Sequence, residues 1–136
     1  MKRVFVDSGA FFALIVAEDE FHGRADAAFG QANRDRWRLV TTNAVLYEAY
    51  TLLLVRSRPG RANALKFLDI VFGDPYRIER VRRADEDQAI ALLRAHEDKG
   101  YSFCDALSFV VMERLGISEA IAYDRHFREY GRLTLI

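Results

Sequence analysis

The run V-F-V-D-S-G at Val4 to Gly9 decides how the chain opens. Val4-Phe5-Val6 is a short β-branched and aromatic segment of the kind that forms strands. Asp7-Ser8-Gly9 is a turn or helix-start signal, and the apolar stretch Ala10 to Ala17 follows it. The reading is strand, acid, helix. The same order recurs outward along the chain. A helical segment over His22 to Asn33 leads to a short strand at Leu39-Val40-Thr41, which feeds a helix starting near Thr42 or Asn43 and running over Ala44 to Val55. Ser57-Arg58-Pro59-Gly60 breaks that helix, Arg61 to Phe72 forms the next, and Tyr76 to Val81 alternates as a strand does. Ala84 to Asp98 reads as helix. Ser102 opens another that ends at Leu115 before Gly116, and Ala120 to Tyr123 reads as a strand reaching Asp124. A short helical turn and a last strand at Leu133-Thr134-Leu135 complete the pattern.

Strands separated by helices of this length favour a parallel sheet, because parallel neighbours need a crossover connection. The expected class is α/β, with a short parallel sheet of four to five strands flanked by α-helices. At 136 residues, with no internal repeat or linker, the expectation is one domain over residues 1–136. The composition, 51% hydrophobic and 29% charged, is that of a folded soluble chain. No apolar run approaches the roughly 18 residues of a membrane span. A cytoplasmic location without a membrane partner is therefore expected. A lone cysteine, Cys104, excludes an internal disulfide and a cysteine-rich zinc site, and its plainest reading is a small core residue. Net charge is zero, so any nucleic-acid contact must be local. Of the 20 basic residues only Lys2, Lys66 and Lys99 are lysines; the arginines suit bidentate phosphate recognition, and a genome-wide preference for Arg is the alternative.

In open parallel sheets ligands collect beyond the carboxyl ends of the strands, where Asp7 and Asp124 are expected. Each acid has a plain structural reading beside the chemical one. Asp7 and Asp124 can cap the helices that follow them, and Asp105, three residues after Ser102, fits a capping box. Glu48 has no such role. It lies past capping reach in its helix and shares a stripe with Val45, Leu52 and Val55, a face expected to pack on the sheet. An acid among apolar neighbours is costly unless something pairs with it. An arginine or a rim position would serve, and so would a metal shared with the other acids. Four clustered carboxylates repel one another unless a cation intervenes, and an all-oxygen donor set points to magnesium or manganese. The spacing of His22, His96 and His126 argues against zinc; only His126, two residues after Asp124, is placed to approach the site.

Four motifs together make the chain resemble the PIN-domain ribonucleases, and among them the VapC-type toxins of prokaryotic toxin–antitoxin modules. They are V-F-V-D-S-G at Val4 to Gly9, T-T-N-A-V-L-Y-E at Thr41 to Glu48, S-F-C-D-A-L-S at Ser102 to Ser108, and A-Y-D-R-H-F at Ala122 to Phe127. The resemblance implies a PIN-like fold and a magnesium- or manganese-dependent endoribonuclease that cleaves RNA with metal-activated water. Asp7, Glu48 and Asp105 match the family's most characteristic acids, Asp124 its more variable fourth, and Ser8 and Ser102 its supporting hydroxyl positions. Tyr123 departs from the pattern, since many relatives carry a small hydroxyl residue there. The resemblance further implies 5′-phosphate and 3′-hydroxyl products, a homodimer, and a cognate antitoxin whose tail enters the site. Arg56, Arg58 and Arg61 are candidate RNA contacts, with a solvated loop as their plainer reading. Single-stranded or looped RNA is the expected substrate. Two rivals stand beside this reading. One is a PIN-domain nuclease or RNA-binding protein of RNA processing without a toxin role. The other is a receiver-like phospho-acceptor domain, which would want a lysine after a late strand, where this chain has none.

Overall fold

Val4, Phe5 and Val6 are all fully buried, although successive side chains of a strand point to opposite faces. Their strand therefore has a packed layer on each side. The computed structural model describes all residues from Met1 to Ile136. In chain order it contains β1 (Arg3–Val6), α1 (Ser8–Ile15), α2 (His22–Arg34), β2 (Arg38–Thr42), α3 (Asn43–Arg56) and α4 (Gly60–Val71). Then follow β3 (Tyr76–Glu79), α5 (Arg83–Ala95), α6 (Phe103–Leu115), β4 (Glu119–Ile121), α7 (Arg125–Tyr130) and β5 (Thr134–Leu135). The five strands form one sheet in the order β3-β2-β1-β4-β5, and every neighbouring pair is parallel. The fold class expected from the sequence is the one observed.

The strand order has a direct consequence for function. From β1 the chain builds outward one way through β2 and β3, then returns to add β4 and β5 on the other side. The reversal falls between β1 and β4, and the crevice beyond the carboxyl ends of two such strands is the usual ligand site of open α/β sheets. No helix is long and apolar enough to cross a membrane.

Phe5, Phe11, Phe67, Phe109 and Phe127 are the largest wholly buried side chains of the core. Phe109 meets Phe127 edge-on at 4.9 Å, which ties α6 to α7 beneath the sheet edge. A second, polar tie holds the sheet margin. Arg114 on α6 donates to Asp85 through Nε and Nη2 and to Glu79 through Nη1, each at 2.9 Å. Both acids are buried. At the α3–α4 corner only glycine fits position 60, because a Cβ there would collide with the carbonyl of Leu54.

Three elements are shorter than the sequence pattern implies. β3 stops at Glu79 rather than Val81, because the Val81 amide donates 2.8 Å to the Asn43 side chain instead of to a strand. α5 stops at Ala95 rather than Asp98, where His96 leaves helical geometry and its carbonyl accepts from Lys99 in a turn. β4 ends at Ile121, so Asp124 lies beyond the strand end rather than directly on it. The orientation of α3 also corrects an expectation. Its core face is Val45, Leu46, Ala49 and Leu53, whereas Leu52 is half-buried and Val55 is 72% exposed. The helix is apolar nearly all round, so periodicity alone could not select the inward face.

Candidate active site

The crevice at the strand reversal is where the acids gather. Asp7 follows β1 directly, and its backbone N–H donates to the carbonyl of Ile121 at 3.1 Å, extending the pairing of β1 with β4 by one bond. Asp7 occupies the N-cap position of α1, yet its side chain accepts no capping hydrogen bond. It is 2% exposed, and its Oδ1 is buried without a hydrogen-bond partner. Burial pushes its carboxyl up to about 8. A bond from the Ser8 backbone opposes the shift, and the charges of Asp105, Glu48 and Asp124 add to it.

The other acids arrive from three different elements. Glu48 on α3 is half-buried and accepts a short hydrogen bond from the Ser8 hydroxyl, so it stands on the pocket wall rather than in the core. Asp105 opens α6 through a reciprocal capping box with Ser102, both bonds being 3.0 Å. Asp124 caps α7 by accepting from the His126 amide at 2.8 Å. Because that turn folds His126 back over its cap, the imidazole comes to rest between two acids. Its Nδ1 lies 2.8 Å from Asp105 Oδ2 and 3.5 Å from Asp124 Oδ1. Ligand atoms of Asp105, Asp124 and His126 lie within 4.8 Å of one another.

One cavity of about 360 Å³ is bounded by Asp7, Glu48, Asp105 and Asp124 together with Ser8 and Ser102. All four acids and both hydroxyl residues named from the sequence therefore come together. Arg56 also borders it; Arg58 and Arg61 are exposed and stand outside it. Lys2, Lys66 and Lys99 are likewise absent from its wall. Two members of the wall went unassigned in the sequence: Leu52, hidden by the uniform apolarity of α3, and Gly9, where a side chain would meet nothing within 4 Å. His126 carried a legible signal, its position two residues past Asp124. Cys104 sits behind the acids, and its thiol is pushed well above the ordinary range by burial first and by Glu48, Asp7 and Asp105 next.

The donor set suits a hard divalent cation. A buried carboxylate oxygen without a partner is costly unless a cation or proton satisfies it, and Asp7 Oδ1 is such an atom. Asp105 Oδ2 is engaged by Ser102 and His126, which leaves Oδ1 for a ligand. Carboxylates with an adjacent imidazole match magnesium or manganese better than zinc, for which thiolate and multiple histidine ligands are usual.

A family model described as the PIN domain matches residues 4–133. The 23S rRNA-specific endonuclease VapC20 of Mycobacterium tuberculosis is 36% identical over 128 residues, covering 94% of each chain. A VapC ribonuclease of Archaeoglobus fulgidus is 34% identical over 125 residues, covering 90% of this chain and 77% of the relative. The crystal structure of M. tuberculosis VapC20, described as a Sarcin-Ricin loop cleaving toxin, superposes with a TM-score of 0.85 at 34% identity, over 97% of this chain and 98% of that one. VapBC2 from Rickettsia felis, solved bound to a DNA fragment from its promoter, superposes at a TM-score of 0.70 with 12% identity, over 98% and 97%, a likeness of fold alone.

Proposed function

This chain belongs to the PIN domain family, in its VapC branch, and we propose from that membership that it is a magnesium- or manganese-dependent endoribonuclease acting as the toxin of a type II toxin–antitoxin pair. The observation that carries the reading is the convergence of Asp7, Glu48, Asp105 and Asp124 on one cavity, with the Asp7 carboxylate buried and one oxygen unpartnered. These four residues would hold the ion, within a single PIN domain over residues 1–136.

A bound divalent cation supplies Lewis-acid activation of water and neutralises charge on the phosphoryl oxygens. The remaining work belongs to the chain. Ser8 holds Glu48 in place by donating to it, and Ser102 with His126 fixes the orientation of Asp105. Arg56, at the cavity rim, carries the positive charge that receives a phosphate of the RNA backbone. The recessed site favours a looped or single-stranded segment that can bend into it. Ribosomal RNA is the first substrate to try, because the relative at 36% identity is named for 23S rRNA. A cognate antitoxin offering a basic side chain to the acids would silence the site, and a homodimer and a cytoplasmic location complete the proposal.

The test is incubation of the purified protein with total RNA and with isolated ribosomal RNA, with and without magnesium, beside Asp7→Asn. Metal-dependent internal cleavage that the variant loses is expected. Cleavage that persists in chelator, or that Asp7→Asn leaves undiminished, would overturn the assignment.

A further inference from the structure

Beside the acid cavity, and sharing Gly9, Leu52, Arg56 and Asp124 with it, runs a second groove of about 290 Å³. Its further walls are aromatic and acidic: Phe12, Phe21, Tyr123 and Asp19. We propose that this groove receives one unstacked nucleobase of the RNA, next to the cleaved phosphodiester, and that Asp19 selects a base presenting N–H donors, guanine foremost. The inference rests on the ribonuclease reading and adds to it where base selectivity resides.

Four observations carry it. First, the groove is continuous with the acid cavity, and Arg56 stands at their junction. Its guanidinium is exposed and forms no ion pair, so it is free to hold a phosphate linking a nucleotide in one chamber to the next. Second, the walls suit a flat, aromatic guest. Phe21 stacks on Tyr123 with centroids 5.0 Å apart and planes 13° apart, and Arg24 lies 5.0 Å over the Tyr123 ring. Phe12 and Phe21 are both half-buried, which leaves apolar surface facing the groove. A base buries one π-face on such surfaces whatever its identity.

Third, Tyr123 is 6% exposed and its hydroxyl has no hydrogen-bond partner. A buried phenol oxygen without a partner is costly, and a hydrogen-bonding guest in the groove that Tyr123 lines would satisfy it.

Fourth, the segment bearing Asp19 and Phe21 is held in place. The Phe21 amide donates to Asp19 Oδ2 at 2.9 Å, the His22 amide to the Asp19 carbonyl at 3.0 Å, and His22 Nδ1 lies 2.7 Å from the Ala13 carbonyl. Asp19 Oδ1 carries no such bond and is an acceptor only. An acceptor repels the carbonyl edge of uracil and favours N–H donors. Guanine offers two adjacent ones, N1–H and the exocyclic amine. The volume admits one base and not a folded helix, which accords with readout of a splayed nucleotide.

Two arms test the proposal. In the first, guanosine and uridine 5′-monophosphates are titrated into isotope-labelled protein without metal, and amide resonances are followed. Guanosine monophosphate is expected to shift Asp19, Phe21 and Tyr123 at least about fivefold more per unit concentration than the uridine nucleotide. In the second, cleavage of a random-sequence RNA library is mapped by sequencing. Wild type is expected to prefer guanine at one position beside the cut. Asp19→Asn, which can still accept the Phe21 amide, should lose that preference among the sites it cuts. Phe21→Ala should raise KM about tenfold with kcat within about twofold. No shift at these amides, or an unchanged preference in Asp19→Asn, overturns the groove assignment. If no RNA is cleaved, the ribonuclease reading fails and the titration alone decides the groove. Variants that leave both arms unchanged and weaken only a complex with a protein partner would assign the groove to that partner and overturn the proposal.

Discussion

The imidazole of His126 lies 2.8 Å from Asp105, with Nδ1 against Oδ2, and so completes a carboxylate already held by the amide of Ser102. Both bonds fall on one oxygen. Hydrogen bonds of this kind orient a metal-binding carboxylate and leave its other oxygen free, and their loss usually lowers metal affinity roughly 10–100-fold. His126→Ala is therefore expected to weaken manganese binding by about tenfold or more. Isothermal titration of the purified protein measures this directly, and affinity equal to wild type would show that Asp105 needs no second restraint.

Asp7 makes the metal-free protein sensitive to alkali. Its carboxyl rises from 3.8 when solvated to about 8 in the fold, so between those values the native state holds a proton that the unfolded chain has released. Stability conferred by that retained proton declines as pH rises from about 4 to about 8 and then levels. Asp7→Asn removes the titration. Without metal the variant should melt several degrees above wild type at pH 8, a difference on the order of a few kcal/mol that vanishes near pH 4. Magnesium should reverse the ranking, because only the carboxylate gains from the cation. Thermal melts across pH, with and without metal, check both statements.

Ser8 and Glu48 form the bond that joins the start of α1 to α3 across the cavity. Glu48→Gln keeps a hydrogen-bond partner for Ser8 and removes a negative charge from the acid group. The expected result is a metal-free melting temperature equal to or above wild type, together with weaker metal binding and loss of cleavage. A sharp drop in metal-free stability would instead mark Glu48 as part of a structural ion pair.

Arg114 serves the fold and not the site. Its bonds to buried Asp85 and Glu79 hold α6 against α5 and β3. Burial resists ionisation of Asp85, but the Arg114 bonds, the Arg82 backbone N–H and the charges of both arginines together outweigh it and keep the carboxyl below its usual range; Glu79 is held low chiefly by its bond from Arg114. This contribution is complete above the ordinary carboxylate pKa values and is lost as pH falls through the depressed ones. Arg114→Ala strands two buried acids and should cost about 3–5 kcal/mol in chemical denaturation at neutral pH. Metal affinity of the fraction that remains folded should be unchanged.

Much of the protein is written in local patterns. The alternation of short apolar runs with helical segments, and the breakers at Pro59-Gly60 and Gly116, depend on neighbours a few residues apart, so the α/β class and the positions of the helices are legible without coordinates. The capping box of Ser102 and Asp105 is local too, and it forms as its spacing implies. Asp7, Glu48, Asp105 and Asp124 could be named because each stands in a motif of its own. What only the folded chain decides is how separate elements face one another. The strand reversal between β1 and β4 sets the crevice, and it depends on pairings between residues more than a hundred positions apart. The inward face of α3 was hidden because a helix apolar on every side carries no phase, and packing alone turned Glu48 to the cavity wall. Asp7, a plausible cap by sequence, proves to cap nothing, because burial against Ile121 and the other acids directs its carboxylate into the cavity. The groove of Phe21, Tyr123 and Asp19 left no trace in the pattern, since its walls come from segments a hundred residues apart and their proximity is a property of the tertiary fold.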